Sequence, residues 1–232
     1  MTAKRKIFFV TGTDTDAGKT LVTCALLKAA ATAGYTTVAM KPVAAGAINT
    51  DQGLRNEDAV LLQSASTIQL PYEQVNPICF PQAIAPHIAA QSSGKRVKVE
   101  RLAGFCQGIL LKRANLTLIE GAGGWRVPLN EREFLSDLVK QLNIPVILVV
   151  AMRLGCLNHA LLTAEAIARD GLQLAGWVAN RIDPNMQCYE ENRDTLSSAF
   201  DGPLLAEIPF FSSIPDPVQA AACFALDQLM QT

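Results

Sequence analysis

The stretch Gly12-Thr13-Asp14-Thr15-Asp16-Ala17-Gly18-Lys19-Thr20 lies between two segments of different character. The apolar run Ile7-Phe8-Phe9-Val10 before it is typical of a buried strand, and the Ala- and Leu-rich run 21–33 after it is typical of a helix. A loop in this position directs backbone N–H groups and the positive end of the helix toward one point, which favours an anion. Lys19 can reach a terminal phosphate, and the Thr20 hydroxyl can bind Mg²⁺. The stretch therefore predicts a phosphate-binding loop.

The spacing of this loop departs by one residue from the common pattern. Five residues separate Gly12 from Gly18 where four are usual, so Thr13 stands at the position of the first glycine. The terminal Gly-Lys-Thr is intact. The alternative is an ordinary strand-to-helix turn with a capping Asp or Thr, but the strand before the loop and the helix after it favour phosphate binding.

The composition predicts one large core. The chain has 232 residues, of which 50% are hydrophobic and 18% charged. This length exceeds a typical domain of roughly 150 residues, but α/β domains often reach it as one unit. We find no repeat, linker or low-complexity segment, so residues 1–232 are predicted to form a single domain.

Charge and cysteine usage narrow the function classes. The net charge is −1 and the longest basic run is Lys4-Arg5-Lys6, which predicts neither nucleic-acid nor membrane-surface binding. The six cysteines include no Cys-x-x-Cys pair and no histidine at zinc spacing, so we expect reduced thiols and a cytoplasmic protein. The first apolar run is too short for a signal peptide, and no stretch approaches the roughly 20 apolar residues of a membrane span.

Strand-like and helix-like segments alternate along the chain. Further strands are predicted at 36–40, 115–119, 145–150, 174–179 and 204–208, and further helices from 56 or 57, at 86–91, 99–113, 134–142, 157–169, 189–199 and 218–230. Residues 43–50 read as a loop, and 71–94 are rich in proline and turn residues. The alternation predicts an α/β fold resembling P-loop NTPases: a mostly parallel sheet with helices on both faces.

Three charged residues near predicted strand ends or helix starts are candidates for metal binding or catalysis. Lys41 follows the second strand, Glu120 ends the strand at 115–119, and Asp58 lies in the first turn of a helix. The carboxylates with Thr20 suit Mg²⁺, and Lys41 places positive charge opposite Lys19, where a moving phosphoryl group or an anionic substrate is neutralised. The alternatives are a solvated lysine, a loop-capping Glu120 and an Asp58 that only opposes the helix dipole.

Five motifs in order resemble those of the dethiobiotin synthetase family. They are the loop at 12–20, Lys41-Pro42-Val43, Glu120-Gly121-Ala122-Gly123-Gly124, the run 154–160 (Leu-Gly-Cys-Leu-Asn-His-Ala) and Gly176-Trp177-Val178-Ala179-Asn180. The resemblance runs from about residue 5 to residue 210. It implies ATP-dependent closure of the ureido ring in biotin synthesis: 7,8-diaminopelargonate captures CO₂ as a carbamate, ATP phosphorylates the carbamate, and the second amine displaces phosphate.

The resemblance also implies a role for each matching position. The residues expected to hold ATP are Asp16, Ala17, Gly18, Lys19, Thr20, Leu21, Asp58, Glu120, Gly121, Ala122, Gly123, Asn180, Arg181 and Pro209. Thr20, Asp58 and Glu120 would surround Mg²⁺, while Lys19 and Lys41, with Thr15 nearby, would stabilise the carbamate and the γ-phosphate. Asn180 would read the adenine edge, since an amide offers a donor beside an acceptor. Its alternative role is a turn-forming asparagine after a strand.

Two subunits pair in the family, so we expect a homodimer. The turn at Gly155, Cys156 and Asn158 would receive the substrate carboxylate from across the interface, as an anion at a helix N-terminus. In the alternative interpretation Asn158 is only a helix cap and Cys156 a small buried residue.

One position departs from the family pattern. Ala45 stands before Gly46 where the family tends to carry Ser or Thr, and the missing hydroxyl would weaken substrate binding by roughly 0.5–1.5 kcal/mol. Two other hypotheses stay open: a switch ATPase that dimerises on nucleotide and binds a membrane or DNA partner, and a small-molecule kinase. Against the switch ATPase, the loop has a single lysine and residues 217–232 contain no Lys or Arg.

Overall fold

The computed structural model describes residues 5–213 and 216–231. The strands are β1 Lys6–Gly12, β2 Thr37–Met40, β3 Val43–Ala44, β4 Ile48–Thr50, β5 Gly53–Arg55, β6 Ile78–Cys79, β7 Leu116–Glu120, β8 Val146–Met152, β9 Leu174–Arg181 and β10 Leu204–Ile208. The helices are α1 Lys19–Thr32, α2 Glu57–Ala65, α3 Tyr72–Val75, α4 Pro86–Ser92, α5 Val99–Leu110, α6 Leu135–Leu142, α7 Cys156–Arg169, α8 Tyr189–Ala199, α9 Pro217–Ala221 and α10 Leu226–Gln231.

Six strands form one parallel sheet in the order β10-β9-β8-β1-β7-β2. Every residue of β7 and of β8 is buried, and β8 is continuously apolar, as expected for a strand covered on both faces. The predicted α/β fold with a parallel sheet is confirmed.

The strand order places the phosphate loop at a point where the chain reverses direction across the sheet. From β1 the chain crosses to β2 at one edge, whereas the later crossovers, through β7, β8 and β9, run toward the other edge. Because crossovers between parallel strands are right-handed, α1 covers one face of the sheet and α5, α6, α7 and α8 the other. Ligands bind at the carboxyl ends of the strands beside such a reversal. The loop after β1 lies there.

Two segments differ from the sequence-based expectation. The predicted helix at 218–230 is two helices, α9 and α10, because the chain leaves the helical path and the Ala225 N–H donates to the Leu205 carbonyl of β10 (3.3 Å). The predicted loop at 43–50 contains β3, which pairs with β6, and β4, which forms a hairpin with β5. Both pairs are two or three residues long, too short to give a periodic signal.

The cysteine side chains are thiols, and half of them are buried. All six cysteines are free, and Cys24, Cys106 and Cys156 are buried. Burial raises the pKa of the Cys24 and Cys106 thiols to about 12, so they stay protonated at neutral pH. Within residues 5–213 and 216–231, no helix is long and apolar enough to cross a membrane.

Candidate active site

The backbone of the predicted phosphate loop has the geometry of an anion site. The loop connects Gly12, the last residue of β1, to Lys19, the first residue of α1. Asp16 (φ 58°) and Gly18 (φ 89°) are both in the left-handed region, and residues of this kind within a turn direct successive N–H groups toward a common point. Gly18 also has no room for a side chain, because a Cβ there would lie 2.0 Å from Asn180 Nδ2.

Lys19 is held inside the loop. Its Nζ donates to the Asp14 carbonyl (2.9 Å), and the residue is only 7% exposed. Burial, together with the nearby Lys41 ammonium, lowers the pKa of Lys19 to about 8. The charged form is therefore destabilised in the free protein and would gain from a phosphate.

Lys41 joins the two predicted metal-binding carboxylates. Its Nζ lies 2.9 Å from Asp58 Oδ2 and 2.7 Å from Glu120 Oε1, and the Thr20 hydroxyl donates to the same Glu120 oxygen (2.9 Å). The Lys41 side chain is 6% exposed and that of Glu120 is 0% exposed. The alternatives of a solvated lysine and a loop-capping glutamate are therefore wrong.

The charges in this cluster stabilise one another. Burial lowers the pKa of Lys41, but the Glu120 and Asp58 carboxylates outweigh it and the net pKa is raised. Burial likewise raises the pKa of Asp58, but Lys41 outweighs it and the net pKa is lowered. Lys41 is therefore an ammonium and Asp58 a carboxylate at neutral pH.

The cluster fits a hard cation. Glu120 Oε2 is buried and has no hydrogen-bond partner among the described residues, so a ligand is needed to satisfy it. Nowhere in the described part of the chain do three or more His, Cys, Asp or Glu residues cluster as a metal site. Two carboxylates and one hydroxyl suit Mg²⁺ bound with nucleotide phosphates, because this ion keeps few protein ligands.

A cleft of about 760 Å³ opens over the cluster. Ten predicted site residues line it, namely Thr15, Asp16, Gly18, Lys19, Thr20, Lys41, Ala45, Asp58, Ala122 and Gly123. Gly124, from the Gly-rich motif, also lines it, together with residues that the sequence did not indicate, namely Ala83, Ile84, Ala85, Pro86, Arg126, Val127 and Pro128. The structure thus brings the loop, Lys41, Asp58 and the Gly-rich turn after β7 to one cavity.

Arg126 is the charged member of the unpredicted set. Its guanidinium makes a bidentate pair with Asp170 (2.7 and 3.0 Å), and the Trp125 indole N–H donates to the same carboxylate (2.9 Å). The arginine is therefore fixed at the cleft wall. Its position two residues after Gly124 was the only signal in the sequence.

Seven other predicted residues do not line the cleft. Ala17 and Glu120 are fully buried, Leu21 and Gly121 adjoin the loop and the end of β7, and Asn180, Arg181 and Pro209 lie at the ends of β9 and β10. Asn180 is part of β9, not of a turn, so the alternative is wrong. Its Nδ2 donates to the Ala17 carbonyl (2.8 Å), which ties β9 to the phosphate loop.

The side chains of Arg181 and Pro209 face different surroundings. The Arg181 guanidinium donates to the Pro184 carbonyl (3.2 Å) and lies 4.9 Å from the Tyr189 ring. Pro209 is exposed directly after Ile208, which is in register with Asn180. Their contact with a nucleotide stays a prediction.

The turn at 155–158 does not line the cleft of its own chain. Gly155 (φ 91°) is the cap of α7 and Cys156 is the first helical residue, so the alternative of Asn158 as the cap is wrong. Cys156 is buried and Asn158 exposed. Nearby Leu154 is 95% exposed and Leu162, on the same helix, 57% exposed. Arg153 Nη2 pairs with Asp14 Oδ2 (3.1 Å) and so links this turn to the phosphate loop.

The parallel sheet and its loop define the class of protein as a P-loop NTPase. A family model described as an AAA domain matches residues 6–218. The fold is similar to the MinC:MinD cell division protein complex of Aquifex aeolicus (TM-score 0.57, 14% identity, covering 97% of this chain and 94% of that one). It is also similar to a ParA family ATPase from Chlorobium tepidum (TM-score 0.53, 13% identity, 98% and 96%).

Closer relatives define the family. The chain is 56% identical to the ATP-dependent dethiobiotin synthetase BioD of Cellvibrio japonicus over 208 residues, covering 90% of this chain and 91% of the relative. It is 53% identical to the enzyme of the same name from Pseudomonas paraeruginosa, covering 95% of each chain. The chain belongs to the ATP-dependent dethiobiotin synthetase family.

Proposed function

We propose that this chain closes the ureido ring of dethiobiotin from 7,8-diaminopelargonate, CO₂ and ATP, as an ATP-dependent cyclo-ligase of biotin biosynthesis. The observation that carries the proposal is the cleft in which a phosphate loop faces buried Lys41. The names of relatives at about half identity support the substrate class.

The reaction needs positioning and charge rather than a covalent nucleophile on the protein. One substrate amine adds to the carbon of CO₂ and loses a proton, which gives a carbamate. A carbamate oxygen attacks the γ-phosphorus, the bond to ADP breaks, and a carbamoyl phosphate mixed anhydride forms. The second amine attacks the carbonyl carbon and loses a proton, and phosphate leaves as the ring closes.

The residues of the cleft supply what these steps require. The Lys19 and Lys41 ammonium groups stabilise the anionic carbamate and the transferring phosphoryl group, with Thr15 beside them. The Glu120 and Asp58 carboxylates raise the pKa of Lys41, which favours the ammonium form in the free protein. Thr20, Asp58 and Glu120 would hold Mg²⁺, which neutralises the phosphate charges when bound. Ala45 lines the cleft without contributing a hydroxyl.

We propose that the rest of the site is completed by the nucleotide pocket and a second subunit. Asn180, Arg181 and Pro209 form the adenine pocket. In a homodimer, Gly155, Cys156 and Asn158 of one subunit bind the substrate carboxylate held in the cleft of the other. Leu154 and Leu162, which are exposed and near this turn along the chain, are large apolar side chains that such an interface would cover. We further propose one functional domain over residues 1–232 and a cytoplasmic location.

The proposal is tested by identifying the products made from ATP, Mg²⁺, the diamine and ¹⁸O-labelled CO₂. We expect dethiobiotin and, because a carbamate oxygen remains on phosphorus, one labelled oxygen in the released phosphate. Sampling before the label exchanges with water is essential, and the same mixture without protein is the control. A stable phosphorylated diamine would indicate a kinase, and nucleotide hydrolysis unaffected by the diamine would overturn the synthetase assignment.

A further inference from the structure

A buried hydrogen-bond network behind the cleft involves three polar residues that the reaction itself does not use. They are Asn56, Tyr72 and Asn76, which are 6%, 7% and 3% exposed. The Asn56 N–H donates to the Tyr72 hydroxyl (2.7 Å), the hydroxyl donates to Asn76 Oδ1 (3.0 Å), and Asn76 Nδ2 donates to the Lys41 carbonyl (2.7 Å). The network thus runs from the start of α2 to the backbone of Lys41.

Each end of the network holds a predicted site residue. Asn56 is the cap of α2, where its Oδ1 accepts from the Ala59 N–H (3.2 Å), and Asp58 lies in the first turn of this helix. The Asn56 amide also donates to the Ala45 carbonyl in the cleft wall (3.3 Å). The positions of Asp58 and Ala45 therefore depend on how Asn56 is held.

Lys41 is held at both of its backbone groups by the segment around α3. Its N–H donates to the Val75 carbonyl (2.8 Å) and its C=O accepts from Asn76. The residue lies just beyond β2, where the ladder with β7 has ended at Met40, so strand pairing does not fix it. The Tyr72 ring is clamped by the Arg55 guanidinium 4.1 Å from its centroid.

We propose that Tyr72 and Asn76 are positioning residues for the ring-closing reaction. They hold Lys41 and Asp58 so that Lys41 Nζ lies 2.9 Å from Asp58 Oδ2. The proposal rests on the proposed function. Rigid groups that hold a reacting constellation matter because a displacement of about 1 Å can cost on the order of 100-fold in rate. Tyr72 and Asn76 touch neither ATP nor substrate in this account and act only through the groups they hold.

The test compares Tyr72→Phe with Tyr189→Phe, because the two tyrosines are matched. Tyr189 is 8% exposed, its hydroxyl donates to Glu207 (3.2 Å), and its ring lies 4.9 Å from an arginine, Arg181. Phenylalanine keeps the ring at both sites. We expect Tyr72→Phe to lower kcat about five- to tenfold and to raise KM for ATP by a smaller factor, because Asp58 is displaced while the phosphate loop is not touched. Tyr189→Phe is expected to change kcat less than about twofold at a similar thermal midpoint.

A second measurement does not depend on activity. Amide hydrogen exchange is followed in peptides covering 41–45 and 56–59 for the wild type and both variants. We expect faster exchange in both peptides only for Tyr72→Phe. Unchanged exchange there, or equal acceleration in Tyr189→Phe, would overturn the positioning role. Should the wild type make no dethiobiotin, the proposed function fails, while the exchange data still show whether Tyr72 holds the backbone at Lys41 and Asp58.

A double variant tests whether Tyr72 and Asn76 act through one connected hydrogen-bond network. In the double variant Tyr72→Phe/Asn76→Ala, we expect kcat to fall only as far as in the slower single variant, because Tyr72 acts on Lys41 through Asn76. Losses that multiply would contradict a single connected network.

Discussion

Removing the Lys41 ammonium should destabilise the free protein strongly, because it would leave Glu120 buried without its ion-pair partner. In Lys41→Met the apolar stem is kept and the 2.7 Å contact to Glu120 is lost. The Glu120 side chain is 0% exposed and, among the described residues, would retain the Thr20 hydroxyl as its hydrogen-bond donor. Breaking a buried pair in this way costs about 3–5 kcal/mol. The contact to Asp58, whose side chain is 41% exposed, adds little because water screens it.

The assay is urea unfolding at pH 7.5 without nucleotide or Mg²⁺, followed by circular dichroism. The control is Lys41→Met/Glu120→Gln, in which no fully buried carboxylate is left without its ion-pair partner, since Asp58 is partly exposed. We expect the double variant to recover most of the lost stability and none of the dethiobiotin synthesis. A loss below about 1 kcal/mol in Lys41→Met, or no recovery in the double variant, would refute the argument that Lys41 neutralises a buried carboxylate.

Three further predictions concern the loop, a lysine and a helix. In Gly18→Ala, the added Cβ would lie 2.0 Å from Asn180 Nδ2 at a residue with φ 89°, so the ATP affinity measured by calorimetry should fall at least about tenfold. The control is Gly94→Ala, which is also at positive φ but has open space around its Cβ, and this variant should bind ATP with the wild-type affinity. The pKa of Lys19 is lowered to about 8, so this lysine loses the charge that attracts phosphate as the pH rises through 8. The ATP affinity should then weaken by up to about tenfold per pH unit. An ATP affinity that stays constant from pH 7 to 9.5 would contradict this prediction. Burial raises the pKa of Asp137, but the Phe134 N–H (2.8 Å) and Lys140 outweigh it, and the net pKa is lowered. Asp137→Asn should therefore lower the free energy of unfolding by about 0.5 kcal/mol above roughly pH 4, and this difference should disappear as the pH falls through the folded-state pKa of Asp137. A loss of stability that does not depend on pH would contradict this prediction.

Much of the fold follows from the sequence, because the buried parallel strands are mostly apolar and alternate with segments of helical spacing. The segment 146–152 is buried along its whole length, and its apolar, β-branched residues are typical of a strand covered on both faces. The phosphate-binding loop at 12–20 could be predicted because all of its phosphate-binding groups lie in one contiguous stretch of sequence. Lys41, Asp58 and Glu120 were readable as candidates because each adjoins a predicted element boundary.

The remaining features depend on contacts between distant segments. The cleft wall formed by Ala83, Ile84 and Pro86 comes from a region without periodicity, where small apolar residues carry no signal of their own. The break between α9 and α10 depends on one hydrogen bond to β10, and the helical pattern of residues 218–230 alone gives no indication of it. The network through Tyr72 and Asn76 joins residues up to 35 positions apart, so only the folded backbone brings it together.

The central claim is that this cleft joins ATP cleavage to ring closure, and the most direct measurement is the ratio of phosphate released to dethiobiotin formed. With ATP, Mg²⁺, bicarbonate and limiting 7,8-diaminopelargonate, we expect one phosphate per dethiobiotin and no phosphate above background when the diamine is omitted. Phosphate release that continues at the same rate without the diamine, or consumption of the diamine without ring formation, would contradict the claim.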